Sequence, residues 1–399
     1  MSVKPTMDLG LQPVTNRFVK DKGGTEYKHQ LILGLCSTCG LLQLLESFPS
    51  EELEPRYDWI KYREPEQHLD KVAVELAALP SINKSSAIFG VSSKDDSLLD
   101  RMNKLGFSKT YRLDMEKDLG VCGNYGIETI QHKLDSSIAS TIAEKHGKFD
   151  LIIARHIVEH AENFSMFLSG LKSLLKDEGY IMFESPDCSK QLKMLDYSMP
   201  WEEHTIYFTQ TTMKNSFSHE KLKVINFCSY NHSIEDSLVL IVKRDNYILP
   251  ILPGKKILNS ETEVVREYSN GLVHKQEITR KFLSDFRKHK GPVAVFGAGH
   301  NASMIINILE LVDCVDYVID DNPSKQGLFM PGSQIPIFGS SVLLDKGISI
   351  CILSISPDIE DNIIAKNNNF LNKGGLFASF CHLSRHSLYK LIEEGKNLC

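Results

Sequence analysis

The sequence predicts an α/β protein: two Rossmann-like doubly wound domains in tandem, behind a small cysteine-bearing N-terminal module. Three observations carry that expectation. From Ser86 onward, strand-like apolar runs alternate with helix-like segments; a second series of the same kind starts after the break at Pro250, Pro253 and Gly254; and one Cys-x-x-Cys, Cys36-Ser37-Thr38-Cys39, stands near the beginning. Alternation of strand and helix implies right-handed βαβ units on a mostly parallel sheet.

Size and composition agree with several cores. A chain of 399 residues exceeds what one core supports at roughly 100 to 200 residues per domain. With 42% hydrophobic and 24% charged residues, it reads as a folded globular protein rather than a disordered one. The formal net charge of -6 offers no attraction for a phosphate backbone, so no nucleic-acid partner is expected. The first residues lack the apolar core of a secretion signal, and no run approaches the ~20 apolar residues that span a bilayer. No membrane association and a cytoplasmic location are therefore expected, while the oligomeric state is not legible. Cysteines such as Cys228, Cys314 and Cys351 are scattered singly in apolar surroundings, which reads as buried reduced thiols.

The elements follow in order. Residues 1 to about 52 read as turns and short strands, and Pro65 to Leu79 as a lead-in helix, because Leu69, Val72, Val74, Leu76 and Leu79 recur near helical spacing. Strands are expected at Ala87–Val91, Thr110–Asp114, Phe149–Arg155 and Tyr180–Ser185, with helices over Ser97–Phe107, Ser136–Gly147 and Phe164–Gly179. Two further strand-like runs, Leu222–Tyr230 and Ser237–Arg244, have no long helix between them, which predicts an antiparallel pair closing the sheet edge. Glu261 to Lys288 reads as one long polar helix or a helical hairpin. The second series then runs through Pro292–Gly299, Asn301–Val312, Val315–Asp321, Ile348–Ser356 and Gly375–Phe380. The expected domains are a module and helix over 1–80, a first α/β domain over 81–247, a helical linker over 248–290 and a second α/β domain over 291–399.

Candidate functional residues cluster where strands end, since ligands of such sheets bind outside the strand C-termini. The loop after the first strand contains Gly90, Ser92 and Asp95; Asp114 closes the second strand, where a carboxylate can accept from ribose hydroxyls. Arg155-His156-Ile157-Val158-Glu159-His160 follows the third. His160 reads either as a general base or as a helix-capping residue. In Trp201-Glu202-Glu203-His204 a carboxylate beside an imidazole can set its tautomer and raise its basicity. Cys36 and Cys39 supply half of a four-ligand zinc site. In the second α/β domain, Gly297-Ala298-Gly299-His300-Asn301-Ala302 is a GxGxxA turn, with Asp320 and Asp321 ending the next strand; alone, that pattern points to a nicotinamide dinucleotide.

Taken together these pieces resemble the sugar C-methyltransferase family of branched-deoxysugar biosynthesis. The resemblance spans nearly the whole chain and rests on Met7–Phe18 with Leu35–Leu44, Phe149–Leu171, Glu202–Thr209 and Val318–Ile337. The last is the most specific, matching Asp-x-Asn-Pro-x-Lys-x-Gly and Pro-Gly-x-x-Ile-Pro-Ile strings. The resemblance implies a zinc-ribbon-like N-terminal module, an S-adenosylmethionine (SAM) domain and a C-terminal Rossmann-like domain. It also implies methyl transfer to the carbon beside the keto group of a nucleotide-linked sugar, through an enolate. By resemblance, His204 is the base, Glu203 its orienting partner and His160 a contact to the sugar. Gly90, Ser92, Asp95, Asp114 and His156 line the SAM pocket, and Cys36 and Cys39 are the metal ligands.

The chain departs from that pattern at several points. A first cysteine pair is missing. The family's Tyr-His-Glu-His is Trp201-Glu202-Glu203-His204, so Tyr57 or Tyr62 is the expected substitute for the lost phenol. The SAM loop has few glycines, and Lys94 and Asp96 crowd it. Two other readings stand beside methyl transfer: a sugar-nucleotide-binding relative without turnover, and a nicotinamide-dependent oxidoreductase using Gly297, Gly299 and Asp320.

Overall fold

The computed structural model describes residues 3–57, 64–123 and 125–394. Its strands are, in chain order, β1 (Val3–Pro13), β2 (Lys28–Cys36), β3 (Leu42–Leu44), β4 (Ala87–Gly90), β5 (Lys109–Arg112), β6 (Phe149–Arg155), β7 (Leu175–Asp187), β8 (Ile206–Tyr207), β9 (Leu222–Tyr230), β10 (Asp236–Arg244), β11 (Val293–Phe296), β12 (Tyr317–Ile319), β13 (Ile337–Phe338), β14 (Ile350–Leu353) and β15 (Leu376–Ser379). They form three sheets, ordered β1-β2-β3-β8, β5-β4-β6-β7-β10-β9 and β13-β12-β11-β14-β15. The described chain packs as two compact units: one of Met1–Lys4, Gly34–Ser189 and Glu203–Thr262, the other of Pro5–Leu33, Lys190–Glu202 and Glu263–Cys399.

In the first unit, β5, β4, β6 and β7 run parallel, and β10 lies antiparallel to both β7 and β9. The two late apolar runs thus form the antiparallel pair that their short connection predicts. Side chains alternate across this sheet. Phe89, Ile152, Ala154, Ile181 and Phe183 face one apolar layer with Ile130, Ile142 and Phe167, while Ile88, Leu151, Ile153, Tyr180 and Met182 face another with Val72, Leu98 and Met102. Burial on both faces is what a doubly wound parallel sheet requires.

The expected helices form with trimmed ends. The lead-in helix is Leu69–Ala77 rather than Pro65–Leu79. Phe164–Leu174 stops early because Leu175–Gly179 already belongs to β7. Lys255–Lys290 is one uninterrupted helix of 36 residues, not a hairpin.

The second unit holds an entirely parallel sheet. Its order, third-second-first-fourth-fifth in chain sequence, is that of a doubly wound fold with its switch point between β11 and β14. Gly297 makes the turn after β11 with φ +104, and a Cβ there would sit 2.7 Å from the carbonyl oxygen of Ser354. Both the dihedral and the close approach demand glycine. No helix among the described residues is long and apolar enough to cross a membrane.

Candidate active site

The site is built at the C-terminal ends of β4, β6 and β7. After β6 the chain turns sharply: His156 adopts φ +47, its N–H donates to the carbonyl of Glu184 at 2.9 Å, and Val158–His160 form a single 3-10 turn. A left-handed non-glycine residue is uncommon and needs its surroundings to hold it. Thr205 then staples the distant Glu203-His204 segment to this turn. Its N–H donates to the carbonyl of Glu159 at 2.8 Å, and its hydroxyl donates to that of Ala161 at 2.9 Å. β8, directly after it, pairs with β3. His160 and His204, 44 positions apart in the chain, consequently meet edge to face with ring centroids 4.6 Å apart.

Carboxylates surround that pair. Nδ1 of His160 lies 2.9 Å from Oε1 of Glu128, with both side chains almost wholly buried. Potential ligand atoms of Glu128, His160 and Glu203 lie within 4.8 Å of one another, as do those of Glu159, His160 and His204. The structure therefore brings together the predicted His160, Glu203 and His204. It adds Glu128 and Glu159, which sequence reading did not select. Glu159 sat in plain view inside the Arg155–His160 motif; Glu128, in the helix Ile127–Lys133, carries no sequence signal. Capping is not the task of His160, because the Asn163 side chain caps the helix Phe164–Leu174 by accepting from the N–H of Met166. Tyr57 is half-buried in a segment that passes the Glu128 helix: Pro55 Cδ lies 3.4 Å from the Cβ position of Gly126. Tyr62 lies outside the described residues. Trp201 packs against His300 with ring centroids 4.3 Å apart and the planes tilted by 34°, and Glu202 accepts from the N–H and hydroxyl of Thr15 at 2.6 and 2.8 Å.

Beside this pair runs a buried ionic chain. Glu184, fully buried, accepts from Arg155 Nε at 2.6 Å, pairs with His68 Nε2 at 2.8 Å and lies 3.3 Å from His156 Nε2. Burial opposes a charge on His156, yet Glu64, Glu159 and Glu184 raise it to about 10. For Glu64 burial works upward, but His156 and Lys94 bring it down to about 2. Burial likewise opposes the charge of Glu184, which its cationic neighbours hold well below the usual carboxylate range.

Arg155 also fixes the loop after β4. Its guanidinium donates to the carbonyl of Lys94, and its backbone N–H donates to Asp95 Oδ1 at 2.8 Å. Asp95 Oδ2 takes the N–H groups of Val91 and Ser92 at 2.7 and 2.8 Å. Burial raises Asp95 to about 7 against the pull of those donors. Asp95 and Ser92 thus shape the loop from within. Gly90 is packed closely, a Cβ there falling 2.8 Å from Leu99. Lys94 turns to Glu64 at 2.7 Å and Asp96 to Arg112 at 3.0 Å. Asp114 caps the next helix and pairs with Lys117 at 3.0 Å, its side chain still 35% exposed. A loop ordered from below and an accessible strand-end carboxylate fit the adenosine and methionine parts of SAM. A separate cavity of about 660 Å³ bordered by Lys148, Lys172, Lys221 and Arg244 lies at the other end of β6, which Lys148 precedes.

The two remaining sequence motifs resolve differently. Cys36 and Cys39 are buried together in an apolar cluster with Leu41 and Ile206. Burial pushes Cys39 up to about 11. It acts upward on Cys36 too, but hydrogen bonds from the Thr38 and Cys39 backbone bring that thiol below its ordinary value. Among the described residues no third His, Cys, Asp or Glu joins them, so the pair does not fit a four-ligand structural zinc. In the second unit, Asp320 accepts from the N–H groups of Ala298 and Asn322 at 3.0 and 2.9 Å and from Lys325 Nζ at 2.8 Å; Lys325 also donates to the carbonyl of Ala298 at 2.7 Å. The carboxylate that a dinucleotide's ribose would need is engaged in holding its own glycine turn.

Comparison with known families decides between the readings. Residues 1–53 match a "Putative zinc binding domain", 54–226 a "Methyltransferase domain" and 255–380 a "C-methyltransferase C-terminal domain". This chain is a SAM-dependent C-methyltransferase that carries these three domains in order. Over 390 residues the methyltransferase is 21% identical to the C-methyltransferase NovU of Streptomyces niveus, covering 93% of this chain and 91% of the relative. Among solved structures it is similar to the 1,6-didemethyltoxoflavin-N1-methyltransferase of Burkholderia thailandensis (10% identity, 45% of this chain and 80% of that one, TM-score 0.31). A SAM-dependent methyltransferase of Clostridium acetobutylicum is also similar (10% identity, 46% and 93%, TM-score 0.31).

Proposed function

We propose that the methyltransferase acts on a nucleotide-linked keto-deoxysugar, methylating the carbon beside the keto group. Methyl transfer falls to residues 81–247, with 291–399 as an accessory domain. What supports this reading is the meeting of two histidines and three carboxylates at one point: His160 against His204 at 4.6 Å, with Glu128, Glu159 and Glu203 around them. The relative NovU is itself a C-methyltransferase.

A carbon acid next to a carbonyl needs a base for its proton and a donor for the oxygen that becomes negative. His204 takes the α-proton, and Glu203 orients it. The electron pair of the broken C–H bond moves into the C–C–O system, where His160 faces the developing oxyanion. SAM, when bound, supplies an electrophilic methyl group to that carbon. Lys94 and the loop that Asp95 ties together hold the methionine end, and Asp114 holds the ribose; Gly90, Ser92 and His156 act through the shape they give this loop. Tyr57 borders the acceptor.

The test is solvent deuterium exchange at the α-carbon of a nucleotide-linked 4-keto-hexose, followed by proton NMR. Wild-type protein catalyses exchange, whereas His204→Ala slows it by about 10²-fold or more, the scale of a general base, and keeps its SAM affinity. Equal exchange in both proteins removes His204 from this role.

A further inference from the structure

We propose that the basic cavity at the N-terminal end of β6 is a binding site for a diphosphate group, separate from the methyl-transfer site. Lys148 stands just before β6. The seven residues of that strand, roughly 20 Å of extended chain, separate it from the turn that carries His156 and His160. Two helices form the walls: Ser140, Ala143 and Glu144 lie on one face of Ser136–His146, and Ser169, Lys172 and Ser173 on one face of Phe164–Leu174, since positions i, i+3 and i+4 fall together. The helices touch where the hydroxyls of Ser136 and Ser169 meet at 2.8 Å. The small side chains beside that contact border a cavity of about 660 Å³, within the size range of small-molecule sites.

The charge of this cavity runs against that of the chain. Lys148, Lys172, Lys221 and Arg244 line it with one carboxylate, Glu144, although the protein as a whole carries -6. Helix C-termini are partially negative and attract cations, and that task accounts for two of the four. Lys172 Nζ donates to the carbonyl of Glu220 at 2.9 Å and lies 3.6 Å from its carboxylate. Arg244 donates to the carbonyls of Lys172 and Leu175.

Capping does not account for the other two. Lys148 makes no hydrogen bond or ion pair among the described residues. Lys221 follows the end of the helix Gln210–His219 with φ +62, a left-handed position where glycine is the usual residue and a side chain is strained. Its backbone is held from both sides: its N–H donates to the carbonyl of Ser218 at 3.3 Å, and its carbonyl accepts from the N–H of Asp245 at 3.0 Å. A lysine kept in a conformation that glycine would adopt freely points to a use for its ammonium group.

The ligand follows from the lining. Lysine and arginine from separate elements suit phosphate oxygens, and Asn246 adds an amide. A single phosphate would fill a small part of the space and reach few of the four cations, whereas a diphosphate spans more of them. No aromatic side chain lines the cavity, so it offers no platform on which a base could stack. The shared chemistry is thus the diphosphate itself, either free or as an ester.

The test is calorimetric titration of the full chain with inorganic diphosphate and with methyl diphosphate, at low and high salt, beside thermal melts. One saturable site per chain is expected, weakened by salt and retained when S-adenosylhomocysteine is present. Lys148→Ala weakens it about 10-fold or more, the scale of a lost charged hydrogen bond. Lys221→Gly weakens it similarly while melting at or above the wild-type temperature, because glycine relieves the backbone; a merely structural lysine would leave diphosphate affinity unmoved. Methyl diphosphate binding as tightly supports the proposal with an ester as the source, and binding of inorganic diphosphate alone supports it with the free anion. The absence of saturable binding, equal affinity in wild type and both variants, or competition by S-adenosylhomocysteine overturns it. Failure of the methyl-transfer reading leaves this site untouched, since the titration needs neither SAM nor a sugar.

Discussion

Replacing Glu184 by Gln tests how the buried ionic chain holds the SAM loop. The carboxylate is 0% exposed and faces three donors, Arg155 Nε at 2.6 Å, His68 Nε2 at 2.8 Å and His156 Nε2 at 3.3 Å. An amide keeps one acceptor oxygen but turns an NH2 group toward donors and leaves Arg155 and His156 without their shared countercharge. Breaking one partner of a buried ion pair costs about 3–5 kcal/mol. A loss of that size should appear in the unfolding transition of the first unit, followed by urea titration. The effect reaches the cofactor because Arg155 bonds both the carbonyl of Lys94 and, through its N–H, Asp95; SAM affinity should therefore fall along with stability. Arg155→Met combined with Glu184→Leu removes both charges and should cost less than the two single changes together. A Glu184→Gln protein within about 1 kcal/mol of wild type, the scale of an exposed pair, would refute the reasoning.

Three further outcomes are expected. Stability should peak at mildly acidic pH. His156 is raised from 6.5 to about 10 and Asp95 from 3.8 to about 7, so their contributions are lost as pH rises through those values. Glu64 and Glu184 are depressed below 4.5, so theirs are lost as pH falls; melting temperature against pH checks both limbs, and a flat profile from pH 6 to 10 contradicts this account. Asp320→Ala should destabilise the second unit by about 1–3 kcal/mol, since it leaves buried donors unpaired, while calorimetry with NAD shows no binding to the wild type. Lastly, Cys36→Ser with Cys39→Ser should melt at the same temperature with or without chelator, and wild-type protein should likewise be insensitive to chelation; a large chelator-induced drop in the wild type would show that a metal holds the module.

Much of the fold was legible because burial on both sheet faces writes itself as apolar runs. Ala87–Val91, Phe149–Arg155 and Pro292–Phe296 could hardly be anything but interior strands, and β4, β6 and β11 fall there. Strand and helix ends were less legible, as at Leu175–Gly179, where sheet pairing claims residues whose local sequence suits a helix. The site divides in the same way. His160 and the Glu203-His204 pair stood out by residue type, but their meeting depends on Thr205 bonding across the fold to Glu159 and Ala161, which spacing does not encode. Glu128 could not be found, being one glutamate in a polar stretch whose partner lies 32 positions away. Asp95 carried the opposite lesson: the sequence marked it as a pocket-lining carboxylate, and its oxygens turn inward to tie three backbone N–H groups. Asp320 does likewise, so a dinucleotide-like turn and its acidic partner satisfy each other.

The central claim is that the histidine pair makes a sugar carbon nucleophilic for methylation. Its most direct test is incubation with SAM carrying a carbon-13 methyl group and a nucleotide-linked 4-keto-deoxyhexose, with the product read by carbon NMR. A labelled methyl bonded to the ring carbon next to the keto group, formed by wild type and nearly lost in His204→Ala, is the predicted result. A methyl on oxygen or nitrogen, or equal transfer by the two proteins, would contradict it.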